Sequence, residues 1–331
     1  MRVLMTGISG FVGSHLAEFA LAQGAEVFGT VWPDRAGEEL PNLSAVRDRL
    51  TLFPADLTDE DTVTRVLQAA RPEVIFHLAA QTFVPDSWAA PVHTLQTNIL
   101  PEVHLFERTR ALGLDPIIHI AGSSEEYGLA YPDECPIKET NPLRPLSPYG
   151  VSKVTQDLLA CQYWHSHRTR AVVTRAFNHE GPRRGRHFVT SAFARQIARI
   201  EAGLQDPAIL VGNLEAVRDF TDVRDVVRAY WLAVQRCECG SPYNIGTGEG
   251  HPIREVLATL LDLTMLGSDV AITPDPARMR PSDVPRLVAD ASRFRQATGW
   301  TPAIPFRSML RDTLAYWRER VARERVAAAV A

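Results

Sequence analysis

Thr6-Gly7-Ile8-Ser9-Gly10-Phe11-Val12-Gly13 follows the apolar run Val3-Leu4-Met5 and leads into residues 12–23, where apolar positions recur at helical spacing. A strand, three glycines at i, i+3 and i+6, and a helix succeed one another directly. Gly7 permits the tight turn, Gly10 lets backbone approach a pyrophosphate, and Gly13 lets the helix lie close to the strand. The helix N-terminus adds N–H donors and positive potential for phosphate. Alone, such a turn can be a plain loop. As the first βα unit of an alternating chain, it reads as a dinucleotide site.

The alternation is there. Glu26 to Val31 reads as a second strand closed by Pro33, and Leu52-Phe53 opens a third that ends at Asp56. Thr58-Asp59-Glu60-Asp61 has the N-cap and acids of a helix start. Val74-Ile75-Phe76-His77-Leu78 is apolar enough for a strand buried on both faces. Helices over 94–112 and 149–164 each precede a strand, at Ile117–Ile120 and Ala171–Thr174. The expectation is an α/β Rossmann fold, a doubly wound parallel sheet with helices on both faces. After Asn178 the pattern turns to helices over 190–203, 223–236 and 253–266, separated by short strands and prolines. This predicts a smaller C-terminal α/β domain laid over the sheet's carboxyl edge. The boundaries expected are 1–177 for the cofactor and 178–325 for the substrate, with 213–246 crossing back.

Composition narrows the function classes. The 331 residues are 45% hydrophobic and 22% charged, which excludes disorder, collagen-like repeats or coiled coil as the main architecture. Thirty-five basic against 39 acidic residues leave −4, so no bulk positive field draws nucleic acid or an anionic membrane. No run approaches the roughly 18 apolar residues of a spanning helix, and the N-terminus breaks at Gly7, too early for a signal peptide. A cytoplasmic protein is expected. Four cysteines give no disulfide framework, and Cys237-Glu238-Cys239 lacks zinc-ribbon spacing, so no metal is expected.

A second motif, Tyr149-Gly150-Val151-Ser152-Lys153, carries the chemistry. Helical spacing of i and i+4 puts Tyr149 and Lys153 on one face. A phenol of ordinary pKa near 10 is a poor acid–base group at neutral pH. A neighbouring ammonium and a cofactor's positive ring bring it nearer the working range. Ser123, at a strand end, can hydrogen-bond the same substrate oxygen. Past the second strand, Val31-Trp32-Pro33-Asp34-Arg35 offers both an acid for a free 2′-hydroxyl and an arginine for a 2′-phosphate. NAD and NADP both stay open. Asp56 is placed to meet the adenine, or is simply the acid that precedes a helix.

TGISGFVG at 6–13, DL at 56–57, HLAA at 77–80, Asn98, SSEEYG at 123–128 and YGVSK at 149–153 together resemble the extended short-chain dehydrogenase/reductase family over essentially the whole chain. The resemblance implies cofactor contacts from Gly7, Gly10, Phe11, Val12, Gly13, Arg35, Asp56, Leu57, Leu78, Ala79, Ala80 and Asn98. It also implies Tyr149 as acid/base, Lys153 on the nicotinamide ribose, Ser123 as hydroxyl partner, and a homodimer through a four-helix bundle. RAFNHEGPRRG at 175–185, FVTSAFARQIARIEAGL at 188–204, GNLEAVRDFTDVRDVVRAYW at 212–231 and MRPSDVP at 279–285 look like the GDP-mannose branch of nucleotide-sugar enzymes. That likeness puts Ser124, Glu125 and Val189 at the sugar nucleotide, Asn178, Arg218 and Arg280 on its diphosphate, and Asp283 on its ribose. Planar, permanently charged guanidinium groups suit two phosphates.

Within that branch two reactions compete. The turn GISGFVG lacks the Gln-Asp of the branch's 4,6-dehydratases, and the segment between the second and third strands lacks their arginine pair and insertion. EAVRDFTDVRD and RPSDVP also fit the reductases, which convert the C4 ketone of GDP-4-keto-6-deoxy-D-mannose to GDP-D-rhamnose with NAD(P)H. Glu125, however, stands where a dehydratase carries the base for the C5 proton, and PRRG at 182–185 looks more like the dehydratases. A non-catalytic nucleotide sensor on the same fold is the remote alternative. Retention of Ser123, Tyr149 and Lys153 together argues against it. An RNA-binding relative is disfavoured by the acidic balance.

Overall fold

The structure is a computed structural model, and it describes residues 1–35, 39–279 and 284–330. The chain opens with β1 (Arg2–Thr6), α1 (Phe11–Ala22), β2 (Glu26–Val31), β3 (Leu50–Pro54) and α2 (Glu60–Ala70). It continues through β4 (Val74–His77), α3 (Val84–Ala89), α4 (Pro91–Ala111), β5 (Ile117–Ala121), α5 (Pro148–His167) and β6 (Ala171–Ala176). Shorter pieces follow: β7 (Asn178–Glu180), α6 (Val189–Glu201), β8 (Ala208–Val211), β9 (Val217–Arg218) and β10 (Phe220–Asp222). Next come α7 (Val223–Arg236), β11 (Pro242–Ile245), β12 (His251–Pro252) and α8 (Ile253–Leu261). The last elements are β13 (Ala271–Pro274), β14 (Arg286–Leu287), α9 (Ser292–Thr298) and α10 (Phe306–Val330).

Seven strands form one sheet in the order β11-β6-β5-β4-β1-β2-β3, and every pairing in it is parallel. This is the α/β, doubly wound sheet expected from the alternation. Strand order reverses between β1 and β4, where Thr6 stands opposite His77. A crevice for ligands opens outside the carboxyl ends at such a point. Side chains alternate between the two faces. Val3, Met5 and Phe76 join α1 and α7 residues such as Leu16 and Trp231, while Leu4 and Ile75 join Leu67, Phe106 and Tyr163 on the other side.

Helix ends differ from the sequence expectation where local chemistry decides. α4 starts at Pro91 rather than Thr94, because proline at a first helical position sacrifices no hydrogen bond. α5 starts at Pro148 after Ser147, whose hydroxyl accepts from Gly150 N at 3.0 Å. It runs to His167, until Arg168 turns left-handed at φ 59°. α8 stops at Leu261, and the following residues tighten into i→i−3 turns instead of reaching Leu266. Asp59 caps α2 by accepting from Asp61 N.

α6, α8 and α10 enclose a separate apolar cluster around Phe193, Leu257, Leu314 and Trp317. Beside it lie three small sheets: β7–β10, β12–β9–β14 and β8–β13. The chain then returns to the large sheet, with α7 against α1 and β11 paired to β6. Asp219, fully buried between β9 and β10, ties these parts together. Its carboxyl accepts from the N–H groups of Thr247 and Gly248, each at 2.9 Å, and of Ala289 at 3.2 Å. Among the described residues no helix is long and apolar enough to cross a membrane, and no cluster of His, Cys, Asp or Glu could hold a metal ion.

Candidate active site

The glycine turn is built for close approach. Gly7 sits at φ +67°, and a Cβ there would stand 3.0 Å from the Ala79 backbone. A Cβ on Gly13 would meet Gly7 O at 2.5 Å, so only glycine lets α1 begin against the turn. No side chain caps α1, which leaves its first-turn N–H groups facing the crevice. Across the turn, the Thr6 hydroxyl accepts from Leu78 N and Ala79 N at 3.0 and 3.1 Å and orders the loop after β4.

These walls bound a cavity of about 620 Å³. Of the residues singled out in the sequence, Gly7, Gly10, Phe11, Val12 and Gly13 line it, as do Asp56, Leu57, Leu78, Ala79 and Ala80. So do Ser123, Ser124, Glu125, Tyr149, Lys153 and Asn178. Asp56 lines it while also accepting from Thr58 N and Oγ1, at 2.9 and 2.7 Å. Those contacts are the ones expected of an acid that precedes a helix.

Ser123 caps the short turn Ser124–Glu126: its Oγ accepts from Glu125 N at 3.2 Å, and Glu126 Oε1 accepts from Ser123 N at 2.7 Å. Tyr149, on the first turn of α5, is buried and hydrogen-bonded to the Ser123 hydroxyl. Lys153 follows one turn later, its Nζ 5.9 Å from the centre of the Tyr149 ring. The expected lowering of the phenol pKa is not supplied by the protein's own groups. Burial pushes Tyr149 up to about 12, and the Ser123 hydrogen bond and Arg184 oppose this only in part. The ammonium donates instead to Ala121 O and Gln156 Oε1, at 2.7 and 2.8 Å. Burial in turn draws Lys153 down to about 8, against the carboxyls of Glu126 and Glu102.

Other expected residues lie elsewhere. Asn98 stands behind the cavity wall: it accepts from Gln81 N at 2.8 Å and donates to Gln81 O and Ser152 Oγ. It clamps the lining loop to α5 and does not face the cavity. Arg218 is buried on β9, with one nitrogen on Val217 O, and Val189 begins α6; neither lines the cavity. Arg35 ends the short turn Pro33–Arg35, and its side chain is outside the described part of the chain. Arg280 and Asp283 also lie outside the described residues.

One lining cation was missed in the sequence. Arg184 stacks 3.5 Å over the Phe188 ring and 5.0 Å from Phe11, with Glu180 at 3.7 Å, inside the cavity. Its neighbour Arg183, at φ +74°, points instead to Glu18 on α1 at 2.6 Å. Two adjacent arginines are alike as letters; with Arg183 in the left-handed region, only Arg184 of the two lines the cavity. His179, stacked parallel to Phe11 at 6.0 Å, also lines the cavity without having been singled out in the sequence.

The family model described as GDP-mannose 4,6 dehydratase matches residues 4–313. The chain is 34% identical over 323 residues to the GDP-6-deoxy-D-mannose reductase of Pseudomonas aeruginosa, covering 98% of this chain and 99% of that protein. It is 32% identical over 343 residues to a GDP-mannose 4,6-dehydratase of Vibrio cholerae, covering 93% of this chain and 91% of that one. Among solved structures, RMD from Pseudomonas aeruginosa complexed with NADPH superposes with a TM-score of 0.82 at 32% identity, over 97% of this chain and all of that one.

Proposed function

The chain belongs to the GDP-mannose 4,6 dehydratase family, and on that premise we propose that it is an NAD(P)H-dependent reductase. It turns the C4 ketone of GDP-4-keto-6-deoxy-D-mannose into the hydroxyl of GDP-D-rhamnose. The glycine turn, which a Cβ at Gly7 or Gly13 would force apart, fits a dinucleotide pyrophosphate at the start of α1. Bound there, the reduced nicotinamide supplies the hydride.

This chain's own groups do the rest. Tyr149 gives its proton to the oxygen at C4 as negative charge develops on it. Ser123, already hydrogen-bonded to the phenol, donates to the same oxygen, a contribution that grows toward the transition state. Lys153 holds the nicotinamide ribose and a positive charge near the phenol. Arg184 offers a further cation in the cavity. The division into 1–177 for the cofactor and 178–325 for the sugar nucleotide, with 213–246 crossing back, belongs to the same proposal. So does substrate binding by Ser124, Asn178, Val189, Arg218, Arg280 and Asp283. Exposed apolar side chains at Val92 and Leu100 on α4 and Val151 and Leu158 on α5 support pairing with a second copy through a four-helix bundle.

What supports the reductive direction is the likeness to the GDP-6-deoxy-D-mannose reductase over 98% of this chain and 99% of that protein, together with a buried Tyr149 that keeps its proton at neutral pH and can donate it. One observation favours the 4,6-dehydratase as second reading: Glu125 lines the cavity within electrostatic reach of Tyr149, where a C5 proton could be taken. Incubation of the purified protein with GDP-mannose alone separates the two. The reductase is expected to leave GDP-mannose unchanged and to consume NAD(P)H stoichiometrically only with the keto-sugar. Appearance of the 4-keto-6-deoxy product without added reductant would reverse the assignment.

Arg218→Ala is expected to weaken binding of GDP by roughly tenfold to a hundredfold, as loss of a charge-assisted contact does. Calorimetric titration with GDP measures it, and an unchanged Kd removes Arg218 from the diphosphate site.

A further inference from the structure

Behind the cavity wall, α4 and α5 enclose polar atoms that the proposed reaction does not use. Asn98 and, one turn on, Glu102 share the face of α4 that meets α5, and both are fully buried. Neither carboxyl oxygen of Glu102 has a hydrogen bond. Gln156 on α5 accepts from Lys153 Nζ at 2.8 Å, and its amide nitrogen lies against the Glu102 carboxyl without closing a bond. His77 Nδ1 is 2.9 Å from the Thr6 hydroxyl. That hydroxyl already accepts two N–H groups, so its proton goes to Nδ1 and the ring hydrogen sits on Nε2, which is buried without a partner. Buried polar atoms left open in this number around one lysine call for a use.

We propose that Glu102 is a positioning residue for the reduction, acting through Gln156 to hold Lys153 in its charged form. The kinetic consequence rests on the reductase reading; the effect on Lys153 itself does not. The other groups facing Lys153 are committed. On α5 and the turn after β5, Asp157 and Glu126 pair with Arg175 of β6 at 2.6 and 3.2 Å. His77 on β4 and His119 on β5 are held neutral by burial, both down to about 3. The Tyr149 phenol is neutral. Glu102, from α4, has no hydrogen-bond partner on either carboxyl oxygen, and Lys153 is the cation that acts on it. Burial raises its acid well above the usual range, with Lys153 and Gln156 opposing that rise. As pH climbs, the carboxylate that forms is met by the Gln156 amide and the ammonium, and Lys153 keeps its proton longer.

The chain has two lysines, Lys138 and Lys153, so carbon-13 labelling of lysine resolves the titration of each by NMR in the full-length protein. Lys153 should titrate about one pH unit lower in Glu102→Gln, a tenfold change in proton affinity, with Lys138 unmoved. Glu102→Asp, which keeps a carboxyl, should recover part of that shift. Equal Lys153 midpoints in wild type and Glu102→Gln overturn the proposal. In turnover, the alkaline fall of kcat should move by the same interval with KM for the keto-sugar unchanged. A uniform loss of kcat with the limb in place marks a merely structural role and also overturns it. A shifted Lys153 in a protein that reduces no GDP-keto-sugar keeps this inference and removes the reductase reading.

Discussion

Tyr149→Phe is expected to lower kcat for keto-sugar reduction by a factor of about 10²–10⁴, the usual share of a general acid. The ring stays in place, so affinities for NAD(P)H and GDP should change less than about threefold. What disappears is the proton donor and its hydrogen bond to Ser123. Steady-state kinetics with separately measured ligand affinities check this, and turnover within a few-fold of wild type would remove Tyr149 from the chemistry. The same geometry carries a pH expectation. A phenol pushed up to about 12 stays protonated well above neutrality, whereas Lys153, drawn down to about 8, begins to lose its proton just above it. Turnover should therefore be level near neutrality and fall as pH rises past the lysine's range.

The largest effect on stability is expected at Arg175. Its guanidinium is 6% exposed and meets Asp157 at 2.6 Å and Glu126 at 3.2 Å, both of which are buried as well. It also donates to the Tyr127 hydroxyl at 3.0 Å. Arg175→Met keeps much of the volume and removes the cation, leaving two carboxyls facing each other in a low-dielectric interior. Breaking a buried pair in this way costs about 3–5 kcal/mol, measurable by urea unfolding. The sign of its pH dependence follows. Burial and the neighbouring Asp157 already hold the Glu126 acid well above the usual carboxylate range with Arg175 opposing that rise, and loss of the cation drives it further up. Stability linked to Glu126 is full below the unfolded pKa and lost as pH climbs through the raised one. The gap between variant and wild type should narrow on going from about pH 8 to about pH 5. An unchanged gap would mean the carboxyls are not what the arginine holds. Because Glu126 also accepts from Ser123 N, the variant should lose part of its activity as well.

Much of the site was legible because its determinants are local. Gly7, Gly10 and Gly13 act over one turn of chain, and Tyr149 and Lys153 over one turn of helix. Asn98 was legible as a residue but not as a clamp: its partners, Gln81 and Ser152, come from two other segments. Arg184 was hidden beside Arg183, since only the folded backbone, with Arg183 in the left-handed region, shows which of the two lines the cavity. Glu102 carried no signal, because one acid in a helical run looks like surface until α5 covers it.

The alternation of strands and helices, the close glycine turn and the spacing of Tyr149 and Lys153 were determined by the chain alone, because covalent spacing and helical pitch bring those atoms together whatever else surrounds them. The ionisation of Tyr149 and Lys153, the pairing of Arg175 with two acids, and the choice among arginines were decided only by tertiary structure. Each depends on how far water is kept away and which distant charges are brought near, and those quantities are summed over segments that meet nowhere but in the folded protein.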